Sequence, residues 1–142
     1  MRDKKRVDTL RILISGHSAL ATSPKLNIIV GELNRISASS RQPGSNGWLL
    51  KVLHTTRSLD TTLSELLQFK RWTASRSSLG SYISAFSLNG ILRLPEKQRF
   101  ENDIVRKRNR YMHEAGAMPT QIEADKILSE MHACVAMILA RL

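Results

Sequence analysis

The chain has 142 residues, a length that suits one domain with a buried core. Hydrophobic residues at 42% and charged residues at 24% exclude a disordered chain, and aromatics at only 5% exclude base recognition across an aromatic sheet. A net charge of +10 and a pI near 10.5 call for a polyanionic partner, nucleic acid or an acidic protein, without separating binding from catalysis.

At the N-terminus, MRDKKR and Ala19-Leu20-Ala21 imitate a signal peptide. Arg11, Ser15, Gly16 and His17 interrupt what would be its apolar region. Val7, Leu10, Leu13 and Ile14 instead share a helical face and predict a first amphipathic helix. Ser23-Pro24 reads as N-cap and first helical position of a second helix, with Leu26, Ile29, Val30, Leu33 and Ile36 inward. The small, polar and breaker residues from Ser37 to Gly47 predict a flexible loop. No Gly-Lys-Ser/Thr follows, so this loop is not a phosphate-binding P-loop.

A long helix is expected from Trp48 to Trp72, with Val52, Leu59, Leu63, Leu66, Leu67 and Phe69 on its apolar side. Asp60 and Glu65 are five apart and do not share a face, so each is expected to balance an Arg from a neighbouring helix. His54 reads as a packing or surface residue. After a Ser-rich break, Leu79, Ile83 and Phe86 mark a shorter helix that stops at Asn89-Gly90. A helix-turn-helix around Leu88 to Ile91 is disfavoured, because Pro95 interrupts its would-be recognition helix.

Pro95 opens the next helix, with Glu96 favourably early and Phe100, Ile104 and Met112 facing inward. Thr120-Gln121-Ile122-Glu123 is a capping box before a last helix that is apolar on one face as far as Leu142. So apolar a helix is central to a bundle or supplies a dimer surface. Cys134 is the only cysteine, which excludes an intrachain disulfide and a CxxC metal site and reads as a buried thiol. His132 reads as core or rim. No apolar run approaches the roughly 18 residues of a membrane span. These patterns predict one domain over residues 1–142, an all-α, up-and-down bundle of five to six helices in a water-soluble, cytoplasmic chain.

The segment from Arg106 to Gly116, RKRNRYMHEAG, holds the densest basic cluster. Part of that pattern is ordinary helix design, acids early and bases late along the dipole. A helix turns roughly 100° per residue, so Arg106, Asn109 and His113 share one face. Arg108 lies five before His113, roughly 140° round, and its long side chain is expected to wrap toward the imidazole. Spacing alone does not discriminate, since Arg11 to His17 also reads R-x5-H. Arg108 is the better assignment because Asn109 follows it.

Arg108-Asn109-Arg110-Tyr111-Met112-His113, read as R-N-x-x-x-H, resembles the R-x4-6-H signature of HEPN domains. The resemblance implies a helical bundle and a metal-independent endoribonuclease, used as a toxin or antiphage-defence effector. It also implies a homodimer that gathers two Arg and two His in one cleft, needing no cofactor, and an antitoxin or regulatory protein as partner. One subgroup carries Tyr two residues after the His; here position 115 is Ala, which sets this chain apart from that subgroup.

The chemistry is self-consistent. RNA supplies its own 2′-hydroxyl nucleophile, so the protein must supply a base, an acid and charge for the phosphorane. His113 suits proton transfer, Arg108 suits bidentate phosphate contact, and Asn109 suits orienting either. Arg106, Lys107 and Arg110 are expected to hold flanking phosphates of RNA. Neither an H-E-x-x-H pattern nor a carboxylate constellation suited to magnesium is present, so no metal is called for. Two other readings stand beside this one: a basic helical module that binds nucleic acid without catalysis, and a small adaptor that docks a protein through its last helix.

Overall fold

A computed structural model describes residues 2–42 and 44–142. Among the described residues there are seven helices and no strand, one more helix than the upper expectation. They are α1 (Arg2–Gly16), α2 (Ser18–Ala21), α3 (Leu26–Ser39), α4 (Gly44–Lys70) and α5 (Leu79–Leu88). Leu94–Phe100, the π-helical turn Glu101–Val105 and Arg106–His113 run on as α6, and α7 is Gln121–Arg141. The added element is α2, a single turn whose backbone Ala19 N–H is taken up by the His17 ring.

The bundle is organised around α4, which packs on α3, α7, α5 and the second half of α6. Apolar residues one helical turn apart build one continuous core: Leu10 and Ile14 of α1, Leu33 and Ile36 of α3, Leu59, Leu63 and Leu66 of α4. Phe86, Phe100, Ile104, Met131, Val135 and Ile138 close it from α5, α6 and α7. Burial of each such side chain contributes roughly 1.5–3 kcal/mol against its exposed state. The last helix is therefore central, and Cys134 on it is fully buried, with its thiol pushed well up by burial.

Several boundaries differ from expectation for local reasons. Ser23 does not cap α3, which begins at Leu26 with no side-chain cap on Lys25. Its hydroxyl instead accepts the Lys25 N–H and donates to buried Glu65 at 2.6 Å. Glu65 is thus held by Ser23, with Lys25 4.0 Å away, rather than by an arginine. The expected loop from Ser37 to Gly47 contracts, because α3 continues to Ser39 and α4 starts at Gly44. Pro43 lies outside the described residues. Gly47 makes the tight entry feasible, since a Cβ there would sit 2.2 Å from the Gln42 carbonyl oxygen. Phe69 faces outward rather than inward, being 55% exposed.

Helix ends follow the chemistry of the chain. Gly90 takes φ +77 after α5, with the Ile91 N–H returning to Phe86 O and the Gly90 N–H to Ser87 O. The same closure ends α4, but there the left-handed residue is Arg71 at φ 59. Thr120 and Glu123 form the expected capping box at the start of α7.

Ion pairs add a polar frame to the core. The Lys51 ammonium, 4% exposed, is clamped between Asp3 of α1, at 2.8 Å, and Asp125 of α7. His54 donates to buried Glu32 at 2.7 Å, so it is a packing residue tied to a carboxylate. Among the described residues, no helix is long and apolar enough to cross a membrane.

Candidate functional site

The second half of α6 is pinned by Tyr111. Its ring packs with Val52 of α4 and with Ala124 and Ile127 of α7 in a small apolar cluster. Tyr111, not Met112, is therefore the inward residue of this turn; Met112 is half-buried. The Tyr111 hydroxyl donates to Glu123 at 2.6 Å. Burial, with that bond second, pushes the phenol up to about 12, while the bond chiefly holds Glu123 below its usual range.

Fixing Tyr111 inward fixes every neighbour. Lys107 and Arg108 flank it on either side, while Arg106, Asn109, Arg110 and His113 are exposed. Lys107 leans toward Glu123 at 3.9 Å, and Arg110 pairs with Glu114 at 3.5 Å, both surface contacts of small energy. Among the described residues, Arg106 and Arg108 make no ion pair and His113 makes no side-chain hydrogen bond.

Among the described residues, no hydrogen bond joins Arg108 to His113. The Arg108 charge lowers Asp60 of α4, a carboxyl that burial more strongly raises. Its Nη1 also reaches Asn109 Oδ1 at a loose 3.4 Å. Asp60 therefore feels an arginine of a neighbouring helix without forming an ion pair with it. Asn109 contacts Arg108 rather than His113. Within one chain, then, Arg106, Asn109 and His113 share an open helix face, and Arg108 stands on its flank.

Just before the basic cluster, the Arg106 N–H bonds to Glu101 O, five residues back. This π-turn inserts an extra residue and rotates everything after it by roughly 100° relative to an unbroken helix. Phe100, Ile104 and Tyr111 are all buried across it. Neither glycine nor proline marks the turn in the sequence, so helical periodicity passes over it. Such turns concentrate at functional sites.

A different Arg–His contact was invisible to motif reading. Arg6 Nη1 donates to His132 Nδ1 at 3.0 Å, joining α1 to α7 across 126 residues. The only sequence signals are the basic face of α1 and a histidine beside the buried stripe of α7. Among the described residues, no three His, Cys, Asp or Glu side chains gather as metal ligands would. Comparison of the chain with protein-family models, with curated proteins and with solved structures returns no match.

Proposed function

We propose that this protein is a metal-independent endoribonuclease of HEPN type, acting in the cytoplasm as a homodimer with a toxin or antiphage-defence role. The observation that carries the reading is the exposed face of Arg106, Asn109 and His113 immediately after a π-turn, flanked by the unpaired Arg108. Histidine is the side chain suited to proton transfer near neutrality, and the arginines suit phosphate oxygens.

A lone His113 serves as base or acid, not both in one step. A second copy placed against this open face supplies the other histidine, and a two-fold axis makes the arrangement self-complementary. Exposed Met118 and Ile122, just beyond His113 in the chain, offer apolar surface for such a contact. In the composite cleft one His113 takes the 2′-hydroxyl proton while the other protonates the leaving 5′-oxygen. Arg108 and Arg106 steady the phosphorane charge, and Lys107 and Arg110 hold flanking phosphates.

One observation favours a second reading, a nucleic-acid-binding module without catalysis: in the single chain the Arg108 side chain bonds to Asn109 and not to His113. Incubating labelled RNA with the protein in excess EDTA decides between them. The ribonuclease reading predicts cutting by the native chain and about a hundredfold loss or more in His113→Ala and Arg108→Ala, the usual scale for a proton-transfer group. Binding without cutting selects the second reading.

A further inference from the structure

Arg2, Lys5, Arg6 and Thr9 fall at i, i+3, i+4 and i+7 on α1 and form one side of a hollow of about 200 Å³. His132 of α7 forms the other side and meets Arg6 at 3.0 Å. We infer that this hollow is a binding site for a phosphate group, in which Arg6 and His132 act as a unit supported by Arg2 and Lys5.

Charge placement carries the argument. A neighbouring hollow of about 390 Å³, on the other side of Arg2 and Arg6, is bordered by Asp3, Asp125, Lys126 and Glu130. Those carboxylates already have cations: Lys51 lies between Asp3 and Asp125, and Arg99 forks onto Glu130 with bonds of 2.7 and 3.0 Å. Among the described residues, Arg2, Lys5 and Arg6 have no carboxylate partner. Three unneutralised cations around one concavity match a phosphate's oxygens in charge; the Thr9 hydroxyl at the rim already donates to the Lys5 carbonyl at 3.0 Å.

His132 makes the site responsive to protons. Because arginine only donates, the Nδ1 that receives Arg6 must be unprotonated, which places the ring proton on Nε2. Burial, with the Arg6 charge second, holds the imidazole below its ordinary value. A bound phosphate neutralises the field of Arg2, Lys5 and Arg6, the imidazole gains a proton, and Nδ1 becomes a donor to the anion. Binding therefore tightens as pH falls through the histidine range and weakens as pH rises. Glu130 and Arg99 cancel one another, and Lys51 with its two aspartates leaves one net negative charge that is present with and without the anion, so they leave that direction unchanged.

The site belongs to α1 and α7 and does not depend on cleavage by the α6 face. Its test follows the His132 ring protons by NMR in the full chain, with three probes: inorganic phosphate, uridine monophosphate and a 2′-O-methyl hexaribonucleotide. The last cannot be cut, and its internal diesters do not titrate in this range. At saturation the His132 midpoint should rise by about one pH unit. Arg6→Gln and Lys5→Gln should each weaken binding about tenfold at fixed salt. His132→Gln should bind with no pH dependence across the histidine range when the hexamer is the probe.

Read at the His132 ring, half-saturation at a lower concentration of the hexamer than of the monophosphate identifies an RNA backbone as the source, and equal half-saturation identifies a free phosphate compound. A saturated protein with an unmoved His132 midpoint overturns the inference. So does an Arg6→Gln variant that binds like the native chain, or failure of all three probes to bind. The His132 midpoint shift with inorganic phosphate does not involve the α6 face, so loss of the ribonuclease proposal and loss of this one are separately visible.

Discussion

Two Arg–His groupings in this bundle contrast sharply. Arg108 and His113 are neighbours in sequence, yet their helix turns them roughly 140° apart, and Tyr111 locks that orientation by packing inward. Arg6 and His132 are 126 residues apart and meet at 3.0 Å because α1 and α7 pack side by side. Helical spacing fixes an angle, whereas contact is decided by which face the core takes. Within one chain the α6 grouping shows no Arg–His hydrogen bond, while the α1–α7 grouping does.

The contrast breaks most severely at Lys51. Lys51→Ala strands Asp3 and Asp125 beside a buried space and should cost about 3–5 kcal/mol in denaturant unfolding. If the variant is still folded, α1 should loosen from α7 and the Arg6–His132 contact should go, while the Tyr111 environment persists. A loss below about 1 kcal/mol would show that the clamp contributes little beyond a surface pair.

Tyr111→Phe sharpens the other side of the comparison. Loss of the bond to charged Glu123 should cost about 1.5–3 kcal/mol, and the phenol ionisation near pH 12 should vanish from the ultraviolet titration. Because the folded pKa lies above the unfolded value, this residue's contribution is present in full below about pH 10. It disappears as pH rises toward about 12. A native chain and variant that lose stability in parallel over that range would contradict the assignment.

Smaller effects belong to positions remote from both groupings. Arg71→Gly relieves a left-handed residue at φ 59 and should stabilise the fold by about 0.5–1 kcal/mol, with RNA cleavage unchanged. Glu96 is half-buried on α6 and held at about 2, chiefly by its bonds from Arg141. A lowered acid stabilises above its unfolded value near 4.5 and loses that contribution as pH falls toward about 2. Thermal midpoints of the native chain and Glu96→Gln should therefore differ slightly at pH 6 and converge by pH 2.

Most of the bundle was legible because apolar periodicity records burial directly. Leu10, Ile29, Leu63, Phe86, Ile104 and Val135 all point where their spacing indicates. What escaped was set by tertiary partners. Glu65 draws Ser23 out of a capping role, Gly47 permits α4 to begin inside an expected loop, and Lys51 is buried only because two aspartates from other helices meet it. At the candidate site, the shared face of Arg106, Asn109 and His113 was legible from helix geometry. The influence of Arg108 on Asp60 was not, because Asp60 belongs to another helix. The π-turn was hidden for want of any residue that announces it.

The most direct test of the composite ribonuclease is the cleavage rate per chain in EDTA across a dilution series, with the dimer fraction measured by sedimentation on the same samples. The rate should follow the dimer fraction and disappear in His113→Ala, which leaves the fold intact. A dimer that does not cut, or a rate per chain that stays constant as the dimer dissociates, would contradict the account.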